Sequence, residues 1–358
     1  MGGTSAEGPV AMSTPRKRVL YIDHSFHKKT TSTQFMLEAF QRVANVDEYW
    51  DDSWQDGAPF DPRQYDKPEP DLVVLFQTEP TPELFRYWRC PIVAIPMLDS
   101  PYSWAADLCL KATNSTVIAF GKKQAEMYER KGIRVIRLRY ACDPPAQKTP
   151  HAGGLRGFFW ERGPVRWEHI KKLLGDSPLE ALLVKQAPDP NFKASEISDA
   201  DIEKYRIRFV EPWGSKEDYW KLLSTCDVYF APRPLEGIGM GYLEAMSMGL
   251  VVVAPDGATM NEYIEHGKNG YLYSLQRAIQ PIPIENCESF RSISQSIADF
   301  MPLFKKSLSE CVQTTLDECE NRISAEVLCK FFKSYQNLKK SKAYRGYRKI
   351  ASHLRTNA

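Results

Sequence analysis

Residues 231–255 read APRPLEGIGMGYLEAMSMGLVVVAP. A strand pattern at 227–231 leads into the glycine-rich turn at 237–241, and a short apolar helix pattern follows that turn. The β-branched run at 250–254 then indicates a second strand. This strand–loop–helix–strand order predicts a βαβ unit that contributes to a parallel sheet.

The same stretch places two carboxylates around the start of a helix. Gly237, Gly239 and Gly241 let backbone approach a ligand closely, and the first turn of the next helix presents unpaired N–H groups and a positive dipole end. Glu236 lies in the loop, and Glu244 follows eight residues later, near the same helical face. These features predict a ligand with both a diphosphate and sugar hydroxyls. The alternative is a plain βαβ unit with solvated glutamates and glycines that serve only as turns.

This segment resembles the E-x(7)-E signature of retaining glycosyltransferases with the GT-B fold, whose usual pattern is P-S-x-x-E-G-F-G-x-x-x-L-E-A-M-A-x-G-x-P-V-V-A. The chain has PRPLEGIG at 232–239, LEAMSMG at 243–249 and VVVA at 251–254, and the resemblance extends in order over residues 18–275. It implies an α/β protein with two Rossmann-like domains facing a central cleft. It also implies a C-terminal helix that crosses back to the first domain.

The resemblance assigns roles to the residues of the motif. Glu236 would be catalytic and hold the hydroxyls of the donor sugar, and Glu244 would hold the ribose hydroxyls. The turn between them would meet the donor diphosphate through Gly237, Ile238, Gly239, Met240 and Gly241.

Four more residues are candidates for binding the nucleotide. Relatives carry G-R-L-x-x-x-K-G near the start of the second domain; Arg162 matches its arginine, and Arg166 falls one residue short of its lysine. An arginine can still clamp a phosphate with two hydrogen bonds. Lys185, near the end of a strand pattern, is a further phosphate candidate, and Trp213 lies where relatives hold the base. The alternatives are a surface ion pair for Arg162 and simple packing for Trp213.

The first strand pattern, at 18–23, is followed by the polar, hydroxyl-rich loop 24–33. This loop lacks the G-x-G-x-x-G fingerprint, so a nicotinamide cofactor is not expected. In GT-B enzymes this loop faces the cleft and often touches the donor phosphate or the acceptor. The alternative is a solvated loop whose threonines cap the helix predicted at 34–43. The candidate acceptor or phosphate residues are His24, Lys28, Thr31 and Ser32.

Asp99 is a second catalytic candidate, because it follows the strand pattern at 91–98. Ligands of open α/β sheets gather beyond the carboxyl ends of strands. Asp99 would orient an acceptor hydroxyl or act as its base. The alternative is that Asp99 caps the helix that begins near Tyr102.

Length and composition predict two globular domains. A chain of 358 residues, with 43% hydrophobic and 26% charged residues, can bury two cores. The predicted parts are a disordered leader at 1–17, an acceptor-side domain at 18–150, a donor-binding domain at 151–330 and a basic helix or tail at 331–358.

Several patterns are absent from the sequence. It contains no apolar run of about eighteen residues, no signal-peptide core and no metal-ligand spacing among its eight cysteines. A cytoplasmic location with free, mostly buried thiols is therefore expected. We expect no metal and no cofactor, with the nucleotide-diphosphate sugar as substrate.

The end of the chain is strongly basic. Residues 330–358 contain nine lysines or arginines, no acidic residue and several interleaved aromatics. Such a helix suits an anionic membrane surface, which predicts peripheral association with the inner face of a membrane. The alternative is a solvated tail over an acidic first domain. Nucleic acid is not an expected partner, because no recognised nucleic-acid-binding module is present.

Together these features predict a retaining, metal-independent hexosyltransferase. It would move a hexose from a nucleotide-diphosphate sugar to a hydroxyl of a glycan or lipid-linked acceptor, in bacterial surface glycan or glycolipid assembly. Two alternatives stay open. A sugar-nucleotide epimerase of the same fold would need no acceptor, and a degenerate transferase would serve as a binding or scaffold protein.

Overall fold

The computed structural model describes residues 15–53, 59–176, 179–189, 192–211, 214–283 and 299–340. Six parallel strands form the first sheet, in the order β2-β1-β3-β4-β5-β6. Its central strands are apolar and buried along their length, as expected for a parallel sheet covered on both faces. The strands are β1 Arg18–His24, β2 Asn45–Asp51, β3 Leu72–Phe76, β4 Ile92–Ile95, β5 Thr116–Ala119 and β6 Arg134–Arg137.

Six further parallel strands form the second sheet, in the order β12-β11-β10-β7-β8-β9. The predicted βαβ unit is present at its centre, where β10 and β11 are joined through a helix that starts at Met240. The strands are β7 Arg156–Glu161, β8 Ala181–Gln186, β9 Ile207–Phe209, β10 Val228–Phe230, β11 Val251–Pro255 and β12 Gly270–Tyr273.

Helices connect these strands and pack on the sheets. The helices of the first half are α1 Ser25–Thr30, α2 Gln34–Gln41, α3 Pro82–Tyr87, α4 Trp104–Ala112 and α5 Lys122–Arg130. Those that follow are α6 Trp167–Leu174, α7 Asp199–Lys204, α8 Lys216–Ser224, α9 Met240–Ser247, α10 Met301–Asp317 and α11 Ala325–Lys339.

Each sheet has one point where the strand order reverses. In the first sheet β1 lies between β2 and β3, and in the second sheet β7 lies between β8 and β10. In open α/β sheets a ligand binds outside the carboxyl ends of the strands at this point. The topology therefore marks the ends of β1, β3, β7 and β10 as the place to look for a site. The predicted class, two Rossmann-like α/β halves, is confirmed.

The C-terminal helices return to the first sheet, as predicted. Phe304 of α10 packs edge-on against Tyr140, with ring centroids 5.1 Å apart, and also meets Phe35 at 6.0 Å. Phe331 of α11 packs against Phe85 at 5.9 Å. Residues 341–358 of the predicted basic tail lie outside the described residues.

The aromatics at the start of that tail do not form a free lipid-facing stripe. Phe331 and Tyr335 are buried in the core of the first half, and Phe332 packs against Phe331 and lies under the guanidinium of Arg86. The apolar side of α11 is used for internal packing because it covers the otherwise exposed apolar residues around β1 and β3. Within the described part of the chain, no helix has the length and apolar content needed to span a bilayer.

The segment after β1 differs from the predicted loop. Its residues form the short helix α1, and Thr31 then takes a left-handed conformation with φ +52°. The Thr33 hydroxyl does not cap α2 but donates to the buried carboxylate of Asp23. A buried carboxylate needs hydrogen-bond donors more than a helix end near solvent does.

The described cysteines are free thiols, as expected. Within the described ranges no disulfide joins any of them. Five are buried: Cys90, Cys109, Cys226, Cys311 and Cys319.

Candidate active site

A cleft of about 810 Å³ lies between the two sheets, at the carboxyl ends of their strands. One wall comes from the first sheet and consists of the α1 segment and the residues that follow β3 and β4. The opposite wall comes from the second sheet and consists of the residues that follow β7, the start of α8 and the turn between β10 and α9. The two topological switch points therefore open into the same space.

The glycine-rich turn forms much of the second-sheet wall. Gly239 has φ +79° and stands at the N-cap of α9, where it has no side chain to accept from the first N–H groups of that helix. A Cβ at this position would lie 1.9 Å from the ring of Tyr242. Ile238, Met240 and Gly241 line the cleft beside this helix end. The N-terminus of α9 can therefore accept an anion.

Gly237 lets the two walls approach each other. A Cβ on this residue would lie 2.6 Å from Met97 Sδ and 2.9 Å from Asp99 Oδ1, both on the first-sheet wall. The glycine thus brings the turn close to the end of β4.

Glu236 lies on the floor of the cleft with 19% of its side chain exposed. Burial raises its pKa to about 7, with a further upward push from Asp99, although Arg233 opposes the change. Oε2 of Glu236 is 3.8 Å from Nη1 of Arg233. The carboxyl group is therefore placed and tuned to accept hydrogen bonds from a ligand or to hold a proton near neutral pH.

Two arginines share one carboxylate beside Glu236. Asp189 Oδ1 accepts hydrogen bonds from Arg162 Nε at 3.1 Å and Nη2 at 2.9 Å. Its Oδ2 accepts from Arg233 Nε at 3.1 Å and also from Nη2. Burial acts to raise the pKa of Asp189, but these arginines hold it below its ordinary value. Arg162 and Arg233 both line the cleft, so this cluster brings two guanidinium groups, with the Asp189 carboxylate between them, to the second-sheet wall.

Arg233 and Asp189 were missed by the sequence interpretation. Arg233 occupies the position where the usual pattern has serine, three residues before Glu236. A cation inside the motif was a usable signal for a phosphate-binding residue. Asp189 offered no such signal, because it contacts Arg233 only through space.

Asp99 lies in the cleft, and its interpretation as a helix cap is wrong. The Ser103 hydroxyl caps α4 instead, accepting from the N–H of Ala106 at 3.3 Å. Asp99 Oδ2 is 3.7 Å from Nη1 of Arg233. Burial raises the pKa of Asp99, and the nearby arginines only partly oppose it.

Glu244 lies deeper in the same cleft, with 7% of its side chain exposed. Its Oε1 is 3.6 Å from Nζ of Lys216 at the start of α8. Burial raises the pKa of Glu244, and Lys216 acts in the opposite direction. The two glutamates of the motif thus share one cavity in different charge environments.

Some predicted residues lie away from the cleft lining. Arg166 is the N-cap of α6, where its Nε donates to the Ser195 hydroxyl at 3.3 Å. Lys185 lies with Nζ 4.6 Å from the ring centroid of Trp160, just behind the wall. Arg166 follows β7 and Lys185 lies near the end of β8, but helix capping and a ring contact direct their charges elsewhere. Trp213 lies outside the described residues.

Of the predicted acceptor or phosphate residues after β1, some line the cleft and others do not. Thr31 and Ser32 line the cleft. Lys28 is directed to the ring of Trp50, 5.9 Å from its centroid, and His24 is not part of the lining. His27, which the sequence interpretation passed over, does line the cleft. The four-residue spacing from Asp23 to His27 across the end of β1 was the available signal.

The described residues contain no group of three or more His, Cys, Asp or Glu side chains arranged to hold a metal ion. The cationic side chains that line the cleft and can receive an anionic ligand are Arg162, Arg233 and Lys216 on the second-sheet wall and Lys29 on the first-sheet wall.

Two solved structures share this architecture. The lipopolysaccharide outer core galactosyltransferase WaaB, in its apo form, aligns with a TM-score of 0.51 at 12% identity, over 88% of this chain and 98% of its own. The sucrose-phosphate synthase of Thermosynechococcus elongatus aligns with a TM-score of 0.51 at 13% identity, over 90% and 99%. These likenesses define the class of protein, a GT-B fold. No curated protein sequence matches the chain.

Part of the sequence also matches a family model. Residues 168–280 match the family described as Glycosyl transferases group 1. This range contains the turn with Glu236 and Glu244, and the match confirms the resemblance to group 1 glycosyl transferases. The chain is thus a GT-B protein that carries a group 1 glycosyltransferase segment, and this combination supports a role in glycosyl transfer.

Proposed function

We propose that this protein is a retaining glycosyltransferase that moves a hexose from a nucleotide-diphosphate sugar to an acceptor hydroxyl. One observation carries the proposal: the two carboxylates of the motif, the N-terminus of α9 and two arginines line the same cleft. An anion-binding helix end beside hydrogen-bond-accepting carboxylates matches a donor that contains both phosphate and hydroxyl groups.

The leaving diphosphate would be stabilised by side chains and backbone of the second-sheet wall. Arg162 and Arg233 supply positive charge, and Arg233 replaces the lysine that Arg166 does not provide. Asp189 already holds both guanidinium groups in fixed positions. Fixed cations and N–H groups can stabilise developing negative charge without rearrangement. In this proposal the reaction uses no metal and no cofactor.

The two glutamates would divide the rest of the donor between them. Glu244 accepts hydrogen bonds from the ribose. Its Oε1 lies 3.6 Å from Nζ of Lys216, which balances its negative charge. Glu236 accepts hydrogen bonds from the hexose hydroxyls, next to Arg233. Asp99, on the first-sheet wall, faces the reacting centre and takes part in orienting the acceptor.

Donor binding is the first test of this proposal. The thermal midpoint of unfolding is screened with UDP, GDP, ADP, CMP and their common sugars, because a ligand that binds only the native state raises this midpoint. We expect a selective shift with one nucleotide. No shift with any of them would contradict the proposal.

A matched pair of variants then tests the motif. Glu244→Ala is expected to raise the donor dissociation constant at least about tenfold, which is the loss of about 1.4 kcal/mol of binding free energy. Glu196→Ala, at an exposed position, serves as the control and should leave it unchanged. Equal calorimetric affinity in the two variants would exclude the assigned role of Glu244. The anomeric configuration of the product, read by NMR, tests retention.

The proposed setting is the assembly of a surface glycan or glycolipid from a glycan or lipid-linked acceptor, in the cytoplasm at the inner face of a membrane. The support is the basic composition of residues 330–358 and the exposure of Lys333 on α11. Co-sedimentation with vesicles that contain an anionic phospholipid tests the membrane contact. No binding at low salt would contradict it, because such attraction is strongest there.

A further inference from the structure

The first-sheet wall of the cleft carries a carboxylate–histidine pair. Asp23, at the end of β1, is 1% exposed, and its Oδ1 lies 2.6 Å from Nδ1 of His27. The same oxygen accepts the N–H of His24 at 2.7 Å, and Oδ2 accepts the Thr33 hydroxyl. Three donors from three different residues therefore hold the carboxylate in one orientation.

This pairing determines which nitrogen of His27 carries the proton. A carboxylate accepts hydrogen bonds, so Nδ1 is the donor, and in the neutral ring Nε2 keeps its lone pair. The ring is also held edge-on against Phe76, at a centroid distance of 5.9 Å and an angle of 84°. Nδ1 faces the buried Asp23, so the opposite edge of the ring is the one that belongs to the cleft wall, where His27 retains 12% exposure. Within the described part of the chain no residue hydrogen-bonds to Nε2.

The chemistry of that edge selects its ligand. A lone pair on a neutral imidazole accepts a hydrogen bond from a hydroxyl group and repels a phosphate oxygen. The arginines proposed to bind phosphate, Arg162 and Arg233, belong to the opposite wall. Lys29 lines the cleft on the His27 side, where its ammonium group can donate to hydroxyl oxygens. Beside His27 the hydroxyls of Thr30 and Ser32, 3.0 Å apart, also line the cleft and can contact further hydroxyl groups. This wall therefore suits a polyhydroxylated molecule such as a sugar.

We propose that His27, held in its tautomer by Asp23, accepts a hydrogen bond from the attacking hydroxyl of a carbohydrate acceptor and orients it toward the donor. This inference rests on the proposed transferase function. His27 is the residue that touches the acceptor, and Asp23 is a positioning residue that acts through His27, in the way that a carboxylate fixes a histidine in other enzymes.

The test uses the full chain with UDP-glucose, or with the nucleotide sugar that the donor screen selects, and with a panel of alkyl glycosides as acceptor probes. Transfer is followed by mass spectrometry, and donor affinity is followed by calorimetry. His27→Ala is expected to lower kcat/KM for the acceptor at least about tenfold, the usual effect of losing one hydrogen bond to a reacting group. The donor dissociation constant should stay within about twofold of the wild type, since the substitution leaves the second-sheet wall unchanged.

Three further variants distinguish a role of His27 in orienting the acceptor from a purely structural role. His27→Gln keeps an acceptor oxygen and should recover part of the activity that His27→Ala loses. Asp23→Asn can donate to Nδ1 and so move the proton to Nε2, which should cost as much activity as His27→Ala. His266→Ala, at an exposed position, is the control. Thermal unfolding checks each variant, and the two His27 variants decide the result if Asp23→Asn fails to fold.

The outcomes are distinct. Transfer by His27→Ala within about threefold of the wild type would overturn this inference and leave the transferase proposal standing. A parallel weakening of donor binding would also overturn it, because it would assign His27 to the donor. A wild-type chain that turns over none of the nucleotide sugars would overturn both.

Discussion

Replacing Glu236 by Gln should stabilise the protein while lowering its transfer activity, because the amide offers one acceptor oxygen where the carboxylate offers two. The pKa of this carboxyl rises from 4.5 to about 7 because burial disfavours the charged form, and Arg233 compensates only in part. In the unfolded chain the carboxyl returns to its ordinary value. One pKa unit corresponds to about 1.4 kcal/mol, so ionised Glu236 lowers the free energy of unfolding by about 3 kcal/mol. Gln keeps the size and the hydrogen-bonding oxygen but carries no charge.

The pH determines how much Glu236→Gln stabilises the protein. Between pH 4.5 and about 7 the folded protein keeps a proton on Glu236 that the unfolded chain has lost. The wild-type free energy of unfolding therefore falls as the pH rises through this window and levels off above it. The stabilisation by Glu236→Gln should be small at pH 5 and reach its maximum, about 3 kcal/mol, at pH 8.

The assay is urea unfolding followed by tryptophan fluorescence at pH 5 and pH 8, together with transfer activity at pH 8. Glu196→Gln, at an exposed position, is the matched control and should change stability at neither pH. A Glu236→Gln variant that is no more stable than the wild type at pH 8, or equally stabilised at both pH values, would refute the reasoning. Retention of wild-type turnover would refute the catalytic role of Glu236.

Two further variants test the architecture that supports the site. Gly239→Ala should destabilise the protein by at least about 2 kcal/mol and weaken nucleotide binding, because it combines φ +79° with a clash against Tyr242. Gly267→Ala, with φ +75° and no atom within 4 Å, measures the cost of the backbone conformation alone. Equal losses of unfolding free energy in the two variants, measured by urea unfolding, would show that the clash is unimportant. Phe304→Ala should lower the free energy of unfolding by about 3 kcal/mol, because it removes a buried ring from the contact between α10 and the first sheet. The control is Leu303→Ala, at the exposed neighbouring position on α10, which should lower it by less than about 0.5 kcal/mol. A similarly small loss for Phe304→Ala would contradict this packing.

The fold and the second-sheet half of the site could be predicted from local patterns. Buried strands of a parallel sheet appear as short apolar runs, and the glycine-rich turn between β10 and α9 has a recognisable spacing. That spacing also places Glu236 and Glu244 on one cavity, as the structure has them. Charged residues in the loops were harder to interpret, because a loop arginine has several competing partners. Arg166 shows this: it begins α6 and donates to Ser195 rather than facing the cleft.

The sequence by itself therefore determined the two motif carboxylates and the glycines that let the backbone approach a ligand, since these depend on residues close together in the chain. It indicated the GT-B class through the family resemblance that this motif carries. Only the tertiary structure decided which charges meet. Asp189 joins Arg233 across 44 residues of sequence, and Asp23 pairs with His27 only because β1 ends where α1 turns back over it. Burial also comes from the assembled walls, and it is burial that raises the pKa of Glu236. Hydrogen bonds and desolvation act through space, so the order of residues along the chain does not reveal them.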